Sequence, residues 1–320
     1  MGTDARSERS DYRLMIEKRR RGEEQKRRGS EHSPPYFGLL FLFVSFVFFV
    51  GNSAAQDLES IRSSIASGNA EMKRNALSQI RTLQTEAASR LAVPALSDTN
   101  LLVRATAASA VIFLPKTEGA QSLTPLLSDK VEFVRGEAAF ALGEVSDASA
   151  TAPLIQALEK DNSRVVKAAA ATALGKIGDV SAVAPLAETF HAKPTETNEF
   201  LRRCAAHAIG LIAETLTGQQ RTTTTPENFL PDKYKQGFSQ PAQANRVAID
   251  QWPVFRLATA TLVTVLQNPK ESDDARREAA FALGSIGDRT SVPVLRSHLN
   301  SPDNYLAEIS KEALIKIEHK

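Results

Sequence analysis

Cys204 and His207 are the two side chains whose types and spacing could carry chemistry. They stand three residues apart in a helical pattern and so share a face, where a thiol and an imidazole can pair as nucleophile and base or bind a metal. Their context points elsewhere. Aligned with the segment Phe133–Gly143, they occupy the places of Glu137 and Phe140, a solvated position and a packing position. No glycine-rich phosphate loop accompanies them. Cys204 is the only cysteine, which excludes an intrachain disulfide and any multi-cysteine metal site. The expectation is a non-enzymatic chain with no cofactor and no metal.

The elements that position these residues repeat. Three segments align without gaps, Phe133–Gly143, Val165–Gly175 and Asp274–Gly284, each ending in Ala-Leu-Gly. A basic residue eight before the glycine marks the register at Lys73, Arg104, Arg135, Lys167, Arg202 and Arg276, with Ala307 at the matching place in the last copy. A second apolar segment precedes each marked one, often with a proline at its start or in its first turn: Pro94, Pro125, Pro153, Pro185 and Pro293. Alanine richness and scarce β-branched or aromatic runs after Val50 favour helix over sheet. Each unit reads as two antiparallel helices, for instance about 149–159 and 162–177, the second capped by Asp161 or Asn162. Val165, Val166, Leu174 and Ile177 are expected to supply the apolar seam and Ala168, Ala169 and Ala173 the close approach. One pair cannot bury its seam alone, so stacked pairs must bury it for one another.

The phrases Val134-Arg135…Ala141-Leu142-Gly143, Ala173-Leu174-Gly175-Lys-Ile-Gly178-Asp179 and Ala282-Leu283-Gly284-Ser-Ile-Gly287-Asp288 resemble bacterial HEAT repeats of the phycobilin-lyase-like subclass. The resemblance covers roughly residues 57–320 and implies an all-α solenoid of about seven helix pairs. It also implies a half-buried ladder of basic and Asp residues between neighbouring units; Asp98, Asp129 and Asp161 each precede a marker by six residues. The His-Glu pairs that di-iron HEAT hydroxylases carry on their helices are missing. Such repeats host scaffolds, adaptors and some enzymes, so function must be argued from a site.

Two segments interrupt the pattern. The spacing from Arg202 to Arg276 leaves a surplus of about 40 residues, an insertion at about 215–253 rich in Thr, Gln, Asn and Pro. Its aromatics Phe229, Tyr234, Phe238 and Trp252 are candidate anchors for a partner protein; they serve equally well as residues docked on adjacent helices. The other segment is the leader. Residues 1–35 are read as a basic disordered region with clusters at Lys18–Arg21 and Lys26–Arg28. Residues 36–55 are apolar and end in small side chains, the order of a secretory signal or a hydrophobic anchor helix. Cleavage before Gln56 and retention as an anchor stay open, as does Met15 as an alternative start. Both place residues 56–320 on the far side of the membrane, in a periplasmic or extracytoplasmic setting.

Charge agrees with a protein partner. The leader holds ten Lys/Arg against seven Asp/Glu and the remainder 29 against 30, so the body has no electrostatic footprint for a nucleic acid. The sequence therefore predicts a protein-interaction scaffold touching the membrane only through 36–55, with an accessory subunit of a lyase-type enzyme as the alternative.

Overall fold

The computed structural model describes residues 56–218 and 251–318. The leader, the apolar segment 36–55 and most of the insertion, with Phe229, Tyr234 and Phe238, lie outside the described residues. Every regular element described is a helix: α1 (56–66), α2 (Ala70–Leu83), α3 (Glu86–Ala92), α4 (Leu101–Ala110), α5 (Lys116–Leu123), α6 (Glu132–Val145), α7 (Thr151–Lys160), α8 (Arg164–Ile177), α9 (Val183–Glu188), α10 (Glu199–Thr217), α11 (Val254–Gln267), α12 (Asp273–Ile286), α13 (Val292–Ser297) and α14 (Asn304–Glu318). Among the described residues no helix is long and apolar enough to cross a membrane.

Consecutive helices pair into seven units. The second helices α2, α4, α6, α8, α10, α12 and α14 pack in that order as one layer, each on the next. Their buried faces are small and aliphatic, with Leu142, Leu174, Ile209 and Leu283 all inaccessible to solvent.

Capping fixes where helices start. Asn69 Oδ1 accepts from the Glu71 amide at 2.8 Å and Asn100 Oδ1 from the Leu102 amide at 2.9 Å, each satisfying an orphan N–H of the first turn. In α8 the cap is Ser163 rather than Asp161 or Asn162, which leaves the Asp161 carboxylate free for an inter-unit contact. The Gly-Asp phrases stop one unit and start the next. Gly178 and Gly287 end α8 and α12 at φ +79° and +80°, where a side chain would be strained. Asp179 and Asp288 then cap the following 3₁₀ turns by accepting from Ser181 and Thr290 amides, both at 2.9 Å.

Three sequence expectations shift. Pro94 and Pro125 lie in 3₁₀ segments, Val93–Ser97 and Thr124–Ser128, that finish the first helices rather than open them. Val165 is not in the seam: it is 61% exposed while Val166 is fully buried. The insertion is narrower than 215–253, since α10 continues through Thr217 and residues 251–253 lead directly into α11. Because α10 packs on α12 and α9 on α11, the units flanking the insertion stack as neighbours.

Candidate functional site

The register-marking residues are inter-unit clasps. Lys73 donates to Asp98 Oδ2 at 2.6 Å. Arg104 is bidentate on Asp129 at 2.7 and 2.9 Å, and Arg135 on Asp161 at 2.6 and 2.9 Å. Each arginine therefore grips the carboxylate of the following unit and donates its remaining Nη1 to the backbone carbonyl of its own unit's aspartate, at 2.8 Å for Asp98 and 3.0 Å for Asp129. Arg202 forms the next such clasp, across the insertion, with Glu271. Arg276 does not continue the series. It donates to the Leu266 carbonyl at 3.2 Å, and Arg277, one residue on, holds Asp303 at 2.8 and 2.9 Å. The offset follows its acceptor: Asp303 stands four residues before the register position Ala307, whereas Asp98, Asp129 and Asp161 stand six before theirs. Lys167 reaches only the Glu159 carbonyl, at 2.8 Å, inside its own unit.

The clasps set acid stability. Lys73 and Arg104, by hydrogen bonding, hold the Asp98 and Asp129 carboxyls below their ordinary value of 3.8. For Asp161 and Asp303 burial pushes upward, but hydrogen bonds from Arg135 or Arg277 and from nearby backbone amides outweigh it, so both also sit low. A depressed carboxyl contributes stability that is complete above its unfolded value and lost as pH falls through its folded one. We expect urea midpoints to fall progressively below about pH 4, and Asp129→Asn to be less stable at neutral pH with a shallower acid slope. An unchanged slope would remove Asp129 from the acid response.

A second feature repeats with the same register and faces solvent. The second residue of every second helix is Glu71, Leu102, Phe133, Val165, Phe200, Asp274 or Tyr305, in chain order. Five of the seven are apolar or aromatic, and all five are exposed: 41% for Leu102, 50% for Phe133, 49% for Phe200 and 43% for Tyr305, beside the 61% of Val165. Since stacked helices lie about 8–10 Å apart, these side chains form a stripe along one edge of the layer. Cations border it: Arg203 lies 5.1 Å from the Phe200 ring centroid and Arg277 5.2 Å from that of Tyr305. Phe140, two turns along α6 from Phe133 and 49% exposed, widens the patch under Lys176. Asp274 interrupts the stripe, held by Arg203 at 3.1 Å and Arg277 at 2.7 Å. Periodic apolar residues exposed on successive units form the contiguous kind of patch that marks an interaction surface.

The residues singled out for chemistry both lie on α10. His207 Nδ1 lies 2.9 Å from Glu278 Oε2 on α12, and its ring stacks on Phe281 with centroids 5.3 Å apart. Cys204 packs against the core instead, where burial pushes its thiol up, away from the nucleophilic thiolate. No cluster of His, Cys, Asp and Glu among the described residues could hold a metal ion. Trp252, the one described member of the aromatic set of the insertion, is half-buried against the core just before α11. Sequence reasoning missed Glu214, a fully buried carboxylate near the end of α10 that accepts from Ser285 Oγ at 3.1 Å and Lys316 Nζ at 3.2 Å. It also missed the stripe, whose signal was present as an apolar residue recurring ten positions before the glycine.

The architecture is that of an α-solenoid built from stacked helix pairs. More particularly, residues 120–210 match the family of HEAT repeats and residues 275–301 the PBS lyase HEAT-like repeat. Several solved structures are similar at low identity. They include human deoxyhypusine hydroxylase in complex with glycerol (18% identity, 82% of this chain and 85% of that one, TM-score 0.36). A second is the CpcE–CpcF complex of phycocyanin lyase from Nostoc sp. PCC7120 (21%, 82% and 88%, 0.44), and a third an engineered protein (20%, 82% and 68%, 0.49). No curated protein sequence matches significantly. The PBS lyase HEAT-like match corrects the expectation of a non-enzymatic chain.

Proposed function

We propose that the chain is a protein-binding scaffold that receives an extended apolar segment of a partner protein along the stripe Leu102–Phe133–Val165–Phe200. The periodic exposure of these side chains carries the reading. Five of the seven units leave an apolar side chain at this one register position in water, and aromatic anchors of this kind supply most of the energy of protein interfaces. A second reading, favoured by the repeat match at 275–301, is that the bound segment belongs to a substrate protein of lyase-type chemistry. Both use the same surface.

The triple variant Phe133→Ser, Val165→Ser, Phe200→Ser tests it. The three side chains are exposed, so unfolding midpoints should barely move. Capture of a crosslinked partner from envelope fractions should drop by at least about thirtyfold, one hot-spot residue's worth of binding. Equal capture by wild type and variant would remove the stripe as the binding surface. The same fractions bear on location. The basic and apolar order of residues 1–55 supports an extracytoplasmic setting, released or membrane-tethered. A mature chain starting at Gln56 supports release, an intact leader in the membrane fraction supports an anchor, and an intact leader on a cytoplasmic chain overturns export.

A further inference from the structure

Two of the stacked second helices carry the same phrase, Glu-Ala-Ala-Phe, as Glu137–Phe140 in α6 and Glu278–Phe281 in α12. A spacing of three puts the carboxylate and the ring on one helix face. In α12 the flanking units occupy both groups. His207 of α10 brings Nδ1 to 2.9 Å from Glu278 Oε2 and stacks on Phe281 with 23° between the ring planes, and Lys316 of α14 lies 5.2 Å from the Phe281 centroid. Phe281 is left only 5% exposed.

In α6 the following unit contributes in the same way, since Lys176 of α8 lies 4.7 Å from the Phe140 centroid. The preceding unit does not. The α4 residue in the register of His207, five after the marking arginine, is Ser109, and it donates to the Thr106 carbonyl of its own helix at 2.9 Å. Phe140 accordingly stays 49% exposed, and among the described residues Glu137 makes no hydrogen bond or ion pair. The approach is open, because a methyl group on the adjacent Gly136 would meet nothing within 4 Å.

The occupied copy states what the open one accepts: a flat group that lies on the phenyl ring and donates N–H to the carboxylate. A guanidinium meets both demands, being planar, permanently charged and able to donate in its plane while its face rests on a ring; an ammonium is a point charge that does not stack. Phe133 of the stripe stands four residues before Glu137 on the same face, about 6 Å along the helix axis, so a chain crossing Phe133 passes within reach of a long side chain. We propose that Glu137 and Phe140 form a receptor for an arginine side chain, carried by the apolar partner segment that lies on the stripe. The placement of the arginine within that segment rests on the stripe being the binding surface, while the receptor itself does not.

Fluorescence anisotropy on the full chain tests it, with a labelled heptapeptide of leucine and alanine bearing one central arginine and with its lysine and glutamine versions. Wild type should bind the arginine version about tenfold more tightly than the glutamine version, with lysine between them. Glu137→Gln should abolish that preference without moving the urea midpoint, since the carboxylate has no partner within the fold. Ser109→His, which supplies the α12 occupant from the neighbouring helix, should abolish it too. The variant Phe133→Ser, Val165→Ser, Phe200→Ser should weaken all three peptides. No preference for arginine at wild type, whether through equal binding or through none, overturns the receptor and leaves the stripe to its own capture test, and so does a preference that survives Glu137→Gln. An arginine preference with undiminished binding to the triple variant overturns the stripe and keeps the receptor.

Discussion

Arg202→Ala should be among the most destabilising single substitutions in the chain, lowering stability by about 3–5 kcal/mol. Arg202 and Glu271 retain only 3% and 1% of their side-chain exposure, and Nε donates to Oε2 at 2.9 Å while Nη2 donates to Oε1. Nη1 donates to the Ala192 and Thr189 carbonyls at 2.8 and 3.3 Å, and the guanidinium lies 4.9 Å from the Phe190 ring centroid. Removing the arginine leaves an uncompensated carboxylate in the interior and two loop carbonyls without their donor. The damage should also be placed: Arg202 and Glu271 lie 69 residues apart and flank the insertion, so hydrogen exchange should accelerate first in α10 and α12. The double variant Arg202→Met, Glu271→Met separates the burial of a charge from the value of the pair, and it should cost less than Arg202→Ala alone. A urea midpoint for Arg202→Ala within about 1 kcal/mol of wild type would mean that Glu271 finds another partner or water.

Much of this architecture was legible because repetition multiplies a weak signal. One Ala-Leu-Gly phrase says little; three in register with a basic residue eight positions earlier define the second helix, its buried face and the order of stacking. The ladder was legible as a position but not as a pairing. Arg104 grips Asp129, which is 25 residues away, and which of two units supplies the carboxylate depends on how helices pack. Glu271 escaped notice because the clasp across the insertion uses a longer carboxylate one residue out of place, and Arg277 because Asp303 sits two residues late. The stripe was hidden for a different reason. Val165 and Val166 are both good seam residues by type, and only the orientation of the first turn decides that one is buried and the other exposed. The role of the insertion was not legible at all, since Thr, Gln and Asn carry no periodicity by which a face could be assigned.

Two helical glycines separate packing from propensity. Gly175 in α8 and Gly136 in α6 occupy ordinary helix interiors, where replacing glycine by alanine gains about 0.5–1 kcal/mol of backbone propensity. At Gly136 nothing lies within 4 Å of the added methyl, so Gly136→Ala should stabilise the chain by about that amount. At Gly175 the methyl would meet Ala208 Cα at 2.8 Å and Cβ at 2.9 Å. Neither atom belongs to a side chain that can swing away, so α8 and α10 must separate along their length. Overpacking of this kind costs about 1–3 kcal/mol, and a branched side chain more, which exceeds the propensity gain and reverses the sign. Gly175→Ala should therefore lower the thermal midpoint while Gly136→Ala raises it, with Gly175→Val lower still. Two substitutions of identical chemistry moving in opposite directions would show that the glycine after Ala-Leu recurs because the next unit's backbone lies against it. A rise at both positions would instead mean that the layer of second helices yields to a methyl group, and that the close fit at Ala208 contributes nothing to holding the units together.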